Sequence, residues 1–118
     1  MDNRDRQLIL HIKSYCEDIA QSIRRFGADY EIFSADTDYF NSVSMSIMQI
    51  GELSINLSNV FRDNTGDKLQ WSLMRGMRNM YAHEYKKMDK SIIWETATKD
   101  IPHLLRFCEI IIEENSKN

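Results

Sequence analysis

The chain has 118 residues, a formal net charge of −3, 42% hydrophobic and 28% charged residues, which leaves room for one core rather than two and excludes a disordered polymer. No apolar run approaches the roughly 18 residues that cross a bilayer. The start MDNRDRQLIL lacks the basic-then-apolar layout of a secretory signal, so one domain over residues 1–118, located in the cytoplasm, is expected, with neither DNA nor a membrane as partner.

One proline and four glycines interrupt the sequence, and polar and apolar residues nowhere alternate as in a strand, so helices are expected throughout. Leu8, Ile12, Tyr15, Ile19, Ile23 and Phe26 are spaced 4, 3, 4, 4 and 3, a helical stripe, and Gly27 follows at the natural C-cap. A short link over 29–33, helical or not, leads to Ser34 and Asp36, either of which can cap the next helix. That helix is predicted to carry Phe40, Val43, Ile47, Ile50, Leu53, Leu57 and Val60 on one face and Met45, Met48 and Ile55 on another. A helix with two apolar faces must cover both, and a second subunit is the expected cover in so small a protein.

The stretch RDNTGD at 62–67 reads as a turn by composition. A third helix is predicted from about Lys68, with Leu69, Leu73, Met77 and Met80 inward, ending near Ala82 or His83. The chain is helical again from Ser91, and Asp100 and Pro102 mark a restart in the first turn of a new segment. Ile101, Leu104, Cys108 and Ile111 keep core spacing there, and 113–118 is expected to fray. The fold class is therefore all-α, an up-and-down bundle of four to five helices.

Cys16 and Cys108 show no ligand spacing and read as small buried hydrophobes. His11, His83 and His103 form no metal-binding pattern, so neither a metal site nor a cofactor is expected. Charge is uneven, however. Arg75, Arg78, Lys86, Lys87 and Lys90 face only Glu84 and Asp89 between positions 75 and 90, a local +3 that leaves −6 for the rest. A phosphate site fits this spot, and so does a solvated basic turn.

Within it, Asn79 and His83 are four apart, on one face of a continuing helix, and Arg78 stands about 140° from His83 around the axis, by 3.6 residues per turn. Arginine binds phosphate through a planar fork that stays charged, and histidine exchanges protons near neutrality. RNA brings its own nucleophile in the 2′-hydroxyl, so a base, an acid and an anion clamp suffice without a metal. Spacing alone leaves a salt-bridged surface patch equally open, with Tyr85 a half-buried aromatic and Glu52 a residue on a solvated face.

The run Arg78-Asn79-Met80-Tyr81-Ala82-His83-Glu84-Tyr85 resembles R-N-x-x-x-H-x-Y, the signature of HepT-like toxins in the HEPN (higher eukaryotes and prokaryotes nucleotide-binding) superfamily. Ile50-Gly51-Glu52 resembles the family's I-G-E element, Trp71 and Met74-Arg75-Gly76 the lead-in to the motif, Met88 through Trp94 the segment after it, and Asp100-Ile101-Pro102 its final-helix start. Leu53, where smaller residues are common, is a mild departure.

The resemblance implies a HEPN-like two-fold homodimer whose motifs line a shared cleft, and a metal-independent endoribonuclease acting as the toxin of a type VII-like toxin–antitoxin pair. It further implies His83 as acid/base, Arg78 as phosphate clamp and Asn79 as the orienting group, with Glu52 and Arg75 as possible supports. The antitoxin would be a minimal nucleotidyltransferase that adds AMP to Tyr85. The same Arg78, Asn79 and His83 also suit a non-catalytic subunit that presents a nucleotide or substrate to that nucleotidyltransferase.

Overall fold

A computed structural model of the chain describes residues 1–69, 71, 72, 74, 76 and 89–116. Among them three long helices and three short ones are found, with no strand: α1 (Asn3–Phe26), α2 (Tyr30–Ala35), α3 (Thr37–Ile55), α4 (Asn59–Thr65), α5 (Lys90–Glu95) and α6 (Ile101–Ser116). A π-turn, Thr96–Asp100, joins the last two into one continuous helical run. Trp71, Ser72, Met74 and Gly76 are also helical.

Both ends of α1 follow from its sequence. Asp2 Oδ1 accepts the Asp5 amide at 2.7 Å and so satisfies a free N-terminal N–H. At the other end Gly27 adopts φ 116°, a region that L side chains avoid, and its N–H returns to the Ile23 carbonyl. The helix lies between α3 and α6, and Ile9, Ile12, Cys16 and Ile19 are essentially inaccessible on it. Leu8, Tyr15, Ile23 and Phe26 of the predicted stripe pack around that row, partly buried. The predicted core positions of α6 (Ile101, Leu104, Cys108 and Ile111) are all buried.

The two thiols are free and buried, as small hydrophobes are. Burial pushes the Cys108 thiol up to about 12 and raises Cys16 further still, which removes the reactive thiolate from both.

The link after Gly27 is helical. Asp29 caps α2, and Asp36, not Ser34, caps α3 by accepting the Tyr39 amide at 3.1 Å, while the Ser34 hydroxyl donates to the Glu31 carbonyl. Phe33 of α2 then seats in an aromatic nest, 5.1 Å from Tyr39, 5.6 Å from Phe40 and 5.0 Å from Trp94 between ring centres. Tyr39 stacks on Phe26 at 4.8 Å and donates its hydroxyl to the Gly27 carbonyl. One nest thereby ties the end of α1 to α2, α3 and α5. Ring pairs of this kind add about 0.5–1.5 kcal/mol each beyond burial.

The second helix differs from its predicted extent. It stops at Ile55; Leu57 is buried just beyond it, and Val60 belongs to α4 and is 70% exposed. The cause is Ser58. Its hydroxyl accepts the Phe61 amide and starts α4, while buried Asp5 accepts both the Ser58 N–H at 2.9 Å and the Ser58 hydroxyl at 2.6 Å. Residues 62–65 are consequently helical rather than a turn, held by burial of Phe61 and Thr65.

At the other end, the chain does not restart at Pro102. Proline has no N–H and its ring crowds the carbonyl four residues back. The helix widens instead, with the Ile101 N–H reaching the Thr96 carbonyl five residues back. The tail expected to fray is helical through Ser116, with Asn115 Nδ2 donating to the Ile111 carbonyl. Among the described residues no helix is long and apolar enough to cross a membrane.

Candidate functional site

Arg75, Arg78, Asn79, His83 and Tyr85 lie outside the described residues, as do Leu73, Met77 and Met80 of the predicted third helix. What the structure gives is the frame on either side of them in the chain.

On the leading side stands Trp71, 8% exposed. Its indole Nε1–H donates to Thr65 Oγ1 at 2.9 Å, and that hydroxyl donates in turn to the Phe61 carbonyl at 2.7 Å. Thr65 thus serves as acceptor and donor at once, so the indole is held by a bonded chain running back into α4. Phe61 and Phe107 close around the ring at 6.1 and 5.8 Å, fixing it to both α4 and α6. The Lys68 and Leu69 amides fold back to the Thr65 carbonyl, which sets the turn before Trp71. Met74, one turn on, is equally buried. The inward residues are therefore Trp71 and Met74; Leu69, predicted inward, is partly buried.

On the trailing side Asp89 caps α5. It accepts the Ser91 amide at 2.8 Å and the Ser91 hydroxyl at 2.6 Å, and these bonds hold its carboxyl below the usual carboxylate range. Lys90 donates to the Ser34 carbonyl at 2.8 Å and lies 5.2 Å from the centre of the Phe40 ring. The chain that leaves the motif is thus pinned to the aromatic nest.

Glu52 is half-buried on α3. Met45, Met48, Glu52 and Ile55 follow one another at spacings of 3, 4 and 3, so the carboxylate shares a helix face with the second apolar stripe. Met45 is 54% exposed there, and Met48 and Ile55 are half-buried.

The sequence reading missed one feature. Between the 68–74 stretch and the head of α6 opens a cleft of about 470 Å³, lined by Lys68, Trp71, Met74, Lys99, Asp100 and His103 among others. His103 Nε2 donates to the Lys68 carbonyl across it at 3.1 Å. The available signal was Lys99 and His103, four apart at the π-turn. Among the described residues no cluster of His, Cys, Asp and Glu could hold a metal ion.

Three relatives that bear the name "Putative RNase" match nearly end to end. One, from Caldanaerobacter subterraneus subsp. tengcongensis, is 32% identical over 109 residues, covering 92% of this chain and 95% of the relative. Two from Methanocaldococcus jannaschii are 27% identical over 109 residues (85% and 95% covered) and 29% identical over 115 residues (97% of each). No solved structure matches the chain significantly. Residues 12–111, which take in most of α1, the whole frame described above and the motif between its two sides, match the ribonuclease HepT-like family, and the chain belongs to that family of RNA endonucleases.

Proposed function

We propose that the chain is a metal-independent endoribonuclease, the toxin of a toxin–antitoxin pair. One observation carries this: the span that matches the family contains an unbroken Arg78-Asn79 … His83 … Tyr85 run. His83 takes the proton of a ribose 2′-hydroxyl, the 2′-oxygen bonds to the adjacent phosphorus, and the 5′-oxygen leaves with a proton. Arg78 binds the non-bridging oxygens as their charge grows, and Asn79 orients the reacting groups. Products should carry 2′,3′-cyclic phosphate and 5′-hydroxyl ends, formed at full rate in EDTA. Cleavage that stops in EDTA sinks the metal-independent mechanism.

The face of Met45, Met48, Glu52 and Ile55 supports a two-fold dimer, since an exposed methionine flanked by half-buried apolar groups lacks cover within the described residues. An isologous pair would bury more than about 1,000 Å² if obligate. Light scattering after gel filtration should give twice the 14.0 kDa of one chain; a single-chain mass at micromolar concentration rules the dimer out.

Control falls to Tyr85. A minimal nucleotidyltransferase adds AMP to its hydroxyl, placing a bulky anion beside the basic run and repelling RNA by size and charge. Lys86 and Lys87 follow directly and suit the phosphates of the donor nucleotide. After co-expression with a cognate nucleotidyltransferase, intact-mass and fragment spectra should show AMP-sized additions on Tyr85 that vanish in Tyr85→Phe. Tight binding without any mass change would instead mean neutralisation by occlusion.

A further inference from the structure

The cleft beside α6 lies outside the motif, and its lining is mixed in an informative way. Trp71 and Met74 offer an apolar floor, Lys68 and Lys99 two ammonium groups, and Asp100 a carboxylate. His103 bridges the two walls by its bond to the Lys68 carbonyl, so the walls are fixed relative to each other rather than merely adjacent. At about 470 Å³ the space falls within the ~300–1,000 Å³ range of small-ligand pockets.

The π-turn explains how two charged side chains reach one wall. A π-turn inserts an extra residue into the helix, and here it carries both Lys99 and Asp100. Lys99 also pairs with Glu95 at 3.4 Å, but both side chains are well exposed, and an exposed pair four apart is worth about 0.3–0.5 kcal/mol, little enough to yield to a phosphate.

We propose that this cleft is a docking subsite for one nucleotide of single-stranded RNA outside the cut bond, its base on the Trp71–Met74 floor and its phosphate between Lys68 and Lys99. The proposal rests on the ribonuclease reading and adds where the strand runs. Each part of the lining answers a part of the ligand: apolar surface the base, ammonium groups the phosphate, and Asp100 a ribose hydroxyl or an exocyclic amine. The floor residues also precede Arg78 by seven and four positions, so a strand held here is led toward the motif along the same stretch of chain. On a chain of net charge −3, two lysines on one fixed cleft are a local attraction for a polyanion.

The test measures binding apart from cleavage. A fluorescein-labelled single-stranded RNA is titrated against the full chain carrying His83→Ala, with and without Lys68→Glu plus Lys99→Glu. Arg24→Glu, on the exposed last turn of α1, is the charge-matched control. The double variant should bind at least tenfold more weakly and flatten the plot of log K against log salt by about 1.4, for two lost contacts on a single strand. Ring signals of His103 should shift with the RNA and far less with uridine monophosphate or inorganic phosphate at equal concentration. Affinity and salt slope equal to those of the control overturn the proposal. So does a monophosphate that binds as tightly as the RNA, since the occupant is then a free nucleotide. Cleavage is scored on the unaltered chain, so failure of the ribonuclease reading shows as absent cleavage, and failure of the subsite as unchanged binding.

Discussion

His83→Ala is expected to lose about 10²–10⁴-fold in RNA cleavage, the usual worth of acid–base catalysis, with the helical circular dichroism unchanged. The size of the loss follows from the chemistry. A ribose hydroxyl is a poor nucleophile until its proton has somewhere to go, and among the residues of the 78–85 run only the imidazole takes and returns a proton near pH 7. Arg78 supplies the other half. Arg78→Lys keeps the charge but loses the planar fork, so it should retain part of the activity that Arg78→Ala loses. That ordering separates clamping from mere attraction: equal losses in both variants point to the fork, and equal retention to charge alone. Persistence of cleavage in His83→Ala at near wild-type rate would remove the histidine from the mechanism.

Much of the architecture can be read from residue spacing, and the misreadings have a common cause. The α1 stripe is displaced by one row because the helix is covered by α3 on one side and α6 on the other, so Ile9 and Cys16 are buried together with Ile12 and Ile19. Spacing finds an arc but not its centre. The break between α3 and α4 depends on Asp5, 53 residues from Ser58, and no local window contains both. The same holds for the run at 62–65, polar by composition yet helical because Ser58 caps it and Phe61 anchors it. Pro102 was legible as a disturbance but not as a π-turn, since a proline in the first turn of a helix and one after a widened turn look alike in sequence.

For the site the division is sharper. The R-N-x-x-x-H-x-Y run is contiguous, so resemblance finds it at once. The cleft joins Lys68 to His103, 35 residues apart, and exists only once α6 is packed against the turn after α4. Linear spacing carries no trace of such a pairing beyond the four-residue step from Lys99 to His103.

Trp71→Ala is expected to cost about 3–5 kcal/mol, the range for truncating a buried aromatic side chain. Against a total stability of about 5–15 kcal/mol this is a large share, and with a urea slope of about 1–3 kcal/mol per molar the midpoint should fall by roughly 2 M. Three losses combine. The rings of Phe61 and Phe107 face a cavity, the bonded chain from Phe61 through Thr65 loses its last member, and the turn over 65–69 loses the side chain packed beneath it. Trp71→Phe separates them: the ring contacts largely remain and only the indole N–H is gone, so about 1 kcal/mol should be lost. The effect should extend to function, because Trp71 is the last fixed aromatic before Arg78 and sets where the motif leaves the core. At a urea-free temperature where the variant is still folded, Trp71→Ala should lower kcat while Trp71→Phe keeps it close to wild type. A Trp71→Ala variant with wild-type midpoint and wild-type kcat would show that the Phe61–Trp71–Phe107 triad neither holds the fold nor positions the motif.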